Sequence, residues 1–197
     1  MISCVLLTAG ESQRFGSPKA LANIGTANII EFLQQKLIQS AVDEIIIVTG
    51  AHETLIKPYV FNHSKVRLVH NKDYKLGQTF SFQMGLSIIN NNSLGFMLLP
   101  IDCPFILIKT INTIITYFEQ RNPTFLIPTY QGKRGHPPIF HKNFKKNILN
   151  LPKNKGLNNL IAQHQAQTFE MEDPGIIQTF NTKKELDNLL KIYKNNS

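Results

Sequence analysis

Short apolar runs of strand length alternate along this chain with stretches that repeat their apolar residues at helical spacing. The runs are Ile2–Leu7, the β-branched Glu44–Val48, the shorter Val66–Val69, Gly95–Leu99 and Thr124–Ile127. Between them, residues 28–39 put Ile30, Leu33 and Leu37 on one helical face. Residues 78–89 do the same with Phe82, Leu86 and Ile89, and residues 106–118 with Ile108, Ile111 and Ile115. Strands that are apolar throughout need cover on both faces, and strand–helix alternation supplies it in a largely parallel sheet. The expected class is therefore α/β. Asn28 with Glu31, and Thr182 with Glu185, have capping-box spacing. Leu186, Leu189, Leu190 and Tyr193 then line one face of a closing helix, and Pro138–Phe140 is a further candidate strand.

The chain has 197 residues, 42% hydrophobic and 17% charged, which is enough apolar material for one cored domain and excludes a wholly disordered chain. No Pro/Gly/Ser linker divides it. Cys4 and Cys103 form neither a disulfide framework nor a Cys-x-x-Cys site. No run approaches the roughly 18 apolar residues of a membrane span, and Met1–Leu7 is short and lacks a basic leader. The expected location is the cytoplasm, with no membrane partner.

The net charge is +8 and is uneven. Residues 1–130 carry 10 basic and 8 acidic side chains, whereas residues 131–197 carry 11 and 5. Such an excess suits a phosphorylated small molecule as well as a polyanion. It is equally what scattered surface lysines give. No arginine-rich run or zinc-finger spacing supports a nucleic-acid module, so none is expected as a partner.

The first strand runs directly into Leu7-Thr8-Ala9-Gly10-Glu11-Ser12-Gln13-Arg14-Phe15-Gly16-Ser17-Pro18-Lys19. In open α/β sheets, ligands bind at the carboxyl ends of strands. Gly10 and Gly16 let backbone N–H groups approach a polyanion, and Arg14 and Lys19 add a forked and a compact cation. A plain βα turn would use the two glycines equally well. Neither the P-loop pattern nor G-x-G-x-x-G is present. A second segment, Phe96 to Pro104, is an apolar strand ending in one carboxylate, Asp102. That carboxylate can hold a hard divalent cation already bound to phosphates, or it can cap a turn or helix. In a third, Gln78 and Ser81 follow Gly77 and offer an amide and a hydroxyl for hydrogen bonding, although Ser81 also suits helix capping.

The pattern L-x-A-G-x-S-x-R-F-G-x-x-K resembles the signature of the MobA-like NTP transferase family, the nucleotidyltransferases that share the fold of molybdenum cofactor guanylyl- and cytidylyltransferases. The resemblance implies a Rossmann-like, three-layer α/β/α nucleotidyltransferase fold over residues 1–197, with a nucleotide-binding half (1–105) and an acceptor-binding half (106–197). Leu7, Ala9 and Gly10 would contact the nucleotide, together with Gln78 and Ser81. Arg14 and Lys19 would bind the triphosphate, and Arg14, Lys19 and Asp102 would be the catalytic set. Asp102 would also hold Mg²⁺.

Gly132-Lys133-Arg134-Gly135-His136-Pro137 is similar to an element of the cytidylyltransferase branch, which points Lys133, Arg134 and His136 at a phosphorylated pterin acceptor. The segment ending Thr179-Phe180-Asn181-Thr182 resembles the family's closing D-x-D-T, with Asn181 in place of the second aspartate. An amide oxygen remains an acceptable ligand for a hard cation, so Asn181 is the expected second metal ligand, with one negative charge fewer.

The resulting expectation is transfer of CMP from CTP to the phosphate of molybdopterin, with an apo-molybdoenzyme as a further partner. The alternatives are a same-fold transferase using another NTP or a sugar or polyol phosphate, and a non-catalytic nucleotide-binding chaperone of a molybdoenzyme.

Overall fold

A computed structural model describes residues 1–152, 155–164 and 166–195. The strands are β1 (Ile2–Leu7), β2 (Asn23–Ile24), β3 (Ala27–Asn28), β4 (Glu44–Thr49), β5 (Val66–His70), β6 (Gly95–Pro100), β7 (Phe125–Tyr130), β8 (Lys133–Arg134), β9 (Ile139–His141) and β10 (Gln167–Glu170). The α-helices are α1 (Ile29–Gln39), α2 (Glu53–Ile56), α3 (Gln78–Ser87), α4 (Ile108–Arg121), α5 (Lys145–Leu149), α6 (Leu157–Ala162) and α7 (Lys183–Asn195).

One sheet dominates, in the order β10-β7-β9-β6-β1-β4-β5, with β8 paired to β7. The chain starts in the middle at β1, builds β4 and β5 outward on one side, then returns to place β6 on the other side of β1. β1 and β6 are parallel and in register, Leu7 opposite Pro100, so their following loops leave the same edge at the point where the strand order reverses. β9 runs antiparallel between β6 and β7. Among the described strands of this sheet, β9 and the two-residue β8 depart from parallel order, and both follow the short reversing connection after Tyr130.

Cover on both faces is visible residue by residue. Ile2, Cys4 and Leu6 of β1 join one core cluster with Leu33 and Leu37 of α1, Ile111 and Phe118 of α4 and Leu186 of α7. Val5 and Leu7 of the same strand join a second cluster with Phe82 and Leu86 of α3, Ile148 of α5 and Ile161 of α6. The alternation of side chains across a strand produces this division. Burying each such Leu, Ile or Phe contributes roughly 1.5–3 kcal/mol.

Both capping boxes form. Asn28 Oδ1 accepts from Glu31 N, and Glu31 Oε2 from Asn28 N, each at 3.1 Å. At α7, Thr182 Oγ1 accepts from Glu185 N at 3.2 Å and Glu185 Oε2 from Thr182 N at 3.1 Å. The helical pattern read over 106–118 starts later, at Ile108, and runs to Arg121, where Asn122 ends it in the left-handed conformation. The pattern over 78–89 ends at Ser87. Strands β2, β3, β8 and β10 carry no apolar run of their own.

Candidate active site

The loops leaving β1 and β6 enclose a cleft of about 850 Å³ at the carboxyl edge of the sheet. Leu7, Ala9, Gly10, Arg14, Lys19, Gln78, Ser81, Asp102 and Asn181 all line it. Local geometry explains why the first loop presents its cations there. Ser12 takes a left-handed conformation (φ 54°), unusual for a residue with a Cβ, and its hydroxyl accepts a hydrogen bond from Lys19 N at 3.1 Å. That bond closes the loop on itself and turns the Lys19 side chain inward.

Lys19 is the hub. Its Nζ donates to Asp102 Oδ2 at 2.9 Å, to Phe180 O at 2.7 Å and to Asn181 Oδ1 at 3.1 Å. It also lies 5.3 Å from the Phe180 ring centroid. Arg14 Nη2 donates to the same Asn181 Oδ1 at 2.9 Å. Three distant segments, the β1 loop, the β6 loop and the turn into α7, therefore meet on one ammonium.

Asp102 caps no helix: α4 begins six residues later, after Leu107, without a side-chain cap. Asn181 owes its position to the α7 capping box, because Glu185 Oε2 also accepts from Asn181 N at 2.5 Å. The amides of Asn181 and Thr182 hold the Glu185 carboxyl below the usual carboxylate range.

The Lys19 ammonium shows what the pair of oxygens can hold. One carboxylate and one amide carbonyl already converge on a single cation, and both are hard oxygen donors. Among the described residues no three His, Cys, Asp or Glu side chains gather to cage a metal. The donor set thus fits a divalent ion that takes the rest of its coordination from substrate phosphates and water.

Across the cleft, Gly77 opens α3 with φ 99°, a conformation that favours glycine. Ser81 Oγ donates to Gly77 O at 3.3 Å and accepts from Asn71 Nδ2 at 3.0 Å, so its hydroxyl is occupied in holding this turn rather than capping the helix. The Gln78 side chain has no partner among the described residues. Sequence reasoning passed over Tyr74, Lys75 and His52, which also line the cleft. Tyr74 and Lys75 stand just before Gly77 and His52 just after β4, and none of the three carries a motif position of its own.

Lys133, Arg134 and His136 are not brought into this cleft. Lys133 and Arg134 lie exposed on β8, after a turn in which Gln131 (φ 49°) and Gly132 (φ 73°) are both left-handed. β7 runs in the direction of β6, so this turn projects from the same sheet edge as the cleft, beyond β9. The side chains of Lys133 and Arg134 have no partner among the described residues.

His136 is pulled under the loops instead. Its backbone N–H donates to Ile176 O at 2.8 Å, and Nδ1 is buried without a hydrogen-bond partner among the described residues. Burial pushes its imidazole below the ordinary histidine range, opposed by the Asp102 charge and a backbone bond at Leu98. Cys103, next to Asp102, is wholly buried, with its thiol pushed far up by burial, and is no nucleophile.

A crevice at the strand-order reversal, with loop-borne cations facing a strand-end acid, places the protein among the α/β nucleotide-dependent transferases. Residues 4–168 match the MobA-like NTP transferase domain, and the chain belongs to that family of nucleotidyltransferases. It is 23% identical over 181 residues to molybdenum cofactor cytidylyltransferase of Escherichia coli (strain K12), covering 92% of this chain and 91% of that protein. It is 30% identical over 148 residues to a probable molybdenum cofactor guanylyltransferase of Natranaerobius thermophilus, covering 72% of this chain and 67% of that protein. Among solved structures, Rv0371c from Mycobacterium tuberculosis H37Rv superposes with a TM-score of 0.83 at 20% identity, over 96% of this chain and 97% of that one. A complex of that protein with manganese also matches, with a TM-score of 0.78 at 20% identity, over 96% of this chain and 98% of that one. These structural likenesses concern the fold.

Among the described residues no helix is long and apolar enough to cross a membrane.

Proposed function

We propose that this nucleotidyltransferase transfers CMP from CTP to the phosphate of molybdopterin and releases pyrophosphate. The observation that carries the reading is the meeting of Arg14, Lys19, Asp102 and Asn181 in one cleft at the switch point of the sheet. The names of the Escherichia coli and Natranaerobius relatives support the acceptor.

A phosphate oxygen of the acceptor attacks the α-phosphorus of CTP. The bond from that phosphorus to the bridging α–β oxygen breaks, and pyrophosphate leaves with the electron pair. No covalent enzyme intermediate is required, so catalysis is positioning and charge neutralisation. Arg14 and Lys19 hold the triphosphate. Leu7, Ala9 and Gly10 bound the nucleotide through the β1 loop, and Gln78 offers its free amide to the base while Ser81 fixes the turn beneath it. Asp102 and Asn181 would hold Mg²⁺, which when bound supplies positive charge to the phosphates. With the Asp102 and Asn181 oxygens holding the ion, Lys19 Nζ, which donates to both in this structure, would be free to donate to the triphosphate.

Residues 1–105 then form the nucleotide half and 106–197 the acceptor half. Lys133 and Arg134 present free cations to the acceptor phosphate along the shared sheet edge, with His136 beneath them. An apo-molybdoenzyme would receive the product.

A second reading, guanylyl transfer from GTP, is favoured by the 30% identity to the probable guanylyltransferase. An amide such as that of Gln78 can pair with either base. Pyrophosphate release from CTP, GTP and UTP, each with and without molybdopterin, separates the readings. Acceptor-dependent release with CTP supports the first and with GTP the second. Release with neither overturns both.

A further inference from the structure

Asp102 and Asn181 reach Lys19 from two loops that share a buried support, formed by Lys36 and Asp173. Lys36 lies on α1 and is 8% exposed. Its Nζ donates to Pro104 O at 3.0 Å and to Ile106 O at 2.9 Å, and sits 4.3 Å from the Phe32 ring centroid. Asp173 is 7% exposed. Its Oδ2 accepts from Leu107 N at 2.9 Å and its Oδ1 from Gly175 N at 2.8 Å. The lysine thus takes the carbonyls of the loop that begins at Asp102, and the aspartate takes the amide at that loop's end. The aspartate also anchors the start of the second loop, which continues through Phe180 to Asn181.

The two loops are in contact as well. A Cβ on Gly175 would fall 2.6 Å from Phe105 O, and Cys103 Sγ donates to Gly175 O at 3.4 Å. A spacing this tight leaves no room for a side chain at Gly175, between the two loops. Burial lowers Lys36 to about 8, with the Asp173 charge opposing the shift. Keeping a charged amine in such a place is costly unless its donors are used, and here two are used on one loop.

We propose that Lys36 and Asp173 are positioning residues that set the separation of the Asp102 and Asn181 oxygens, and so the affinity of the site for its divalent ion. This rests on the reading of those two oxygens as the protein's metal ligands. Neither Lys36 nor Asp173 lines the cleft. Their effect reaches the metal only through the loops, as with groups that orient metal ligands elsewhere.

The test is Mn²⁺ binding, read by the loss of the free-ion electron paramagnetic resonance signal. The full-length protein is used with the α,β-imido analogues of CTP and GTP, as wild type, Asp102→Ala, Lys36→Met and Asp173→Asn. Metal-free binding of the same analogues is measured alongside. The expected result is Mn²⁺ affinity weakened about 10- to 100-fold in Lys36→Met and Asp173→Asn. Metal-free analogue binding, which depends on Arg14 and Lys19, should change far less. In turnover, the metal concentration for half-maximal rate should rise while the rate at saturating metal largely recovers.

A merely structural role would lower the melting temperature and the active fraction without moving the metal titration. Unchanged Mn²⁺ affinity in either folded variant overturns the proposal, and Lys36→Met carries the test should Asp173→Asn fail to fold. If wild type binds Mn²⁺ no better than Asp102→Ala, the metal-ligand reading itself is wrong, and the proposal falls with it by a separate result.

Discussion

Lys19 Nζ and Asp102 Oδ2, 83 residues apart in sequence, lie 2.9 Å from each other across the mouth of the sheet's central crevice. Their side chains are 12% and 24% exposed, so the contact is partly shielded from water. The pair joins the loop proposed to hold the triphosphate to the acid proposed to hold the metal.

Removing either member should abolish most turnover without unfolding the protein. Lys19→Ala and Asp102→Ala should each lower kcat by about 10²- to 10³-fold, the scale for losing one group that stabilises developing charge. Lys19→Ala should also weaken metal-free triphosphate binding, whereas Asp102→Ala should not. Steady-state pyrophosphate release and calorimetric titration with the nucleotide measure the two effects.

Asn181 contributes an oxygen without charge, and both Arg14 and Lys19 use it. Asn181→Asp restores a carboxylate. Unit charges near a protein surface interact by about 4 kcal/mol at 4 Å. A fraction of that, roughly 1.4 kcal/mol, gives about tenfold in affinity. The variant should therefore need about tenfold less Mg²⁺ for half-maximal rate, and should bind metal-free triphosphate more weakly. A metal titration of initial rate checks the first outcome.

Thr182→Ala removes the side-chain acceptor of the α7 capping box. The expected loss of stability is about 1 kcal/mol. Because the same box fixes Asn181, the apparent metal affinity should fall in parallel. Thermal melts and metal titrations on one preparation show whether the two move together.

The pH dependence of stability has a definite sign at His136. Burial holds its folded pKa below the ordinary 6.5, so on acidification the unfolded chain takes up a proton that the folded chain refuses. Stability contributed by neutral His136 is present above 6.5 and is lost as pH falls from there toward the lower folded value. Between about pH 7.5 and 5.5, wild type should lose more of its melting temperature than His136→Gln. An equal loss in both would remove His136 from the account.

Much of this arrangement can be read from sequence, because the residues involved carry local patterns. The apolar runs of β1, β4 and β6 are long, uninterrupted and buried throughout, and the loops after β1 and β6 follow them directly. The Thr182–Glu185 box marks the start of α7, and Asn181 stands just before it.

What stayed hidden depends on partners far away in the chain. β10 alternates half-buried with exposed residues over four positions and exists through its pairing with β7. β8 is a two-residue return from a tight turn. Lys36 reads as an ordinary helix-surface lysine until the carbonyls of Pro104 and Ile106 are laid against it. His136 is expected to face the acceptor beside Lys133 and Arg134, but Gly135 packs where a Cβ would lie 2.7 Å from Ile176 O, and the backbone N–H of His136 donates to that same oxygen, which holds the histidine inward.

The most direct measurement is the structure of crystals soaked with CTP and Mg²⁺. The account predicts the triphosphate between Arg14 and Lys19, the ion held by Asp102 and Asn181, and the Lys19–Asp102 contact opened. A nucleotide bound outside this crevice, or a triphosphate that touches neither Arg14 nor Lys19, would contradict it.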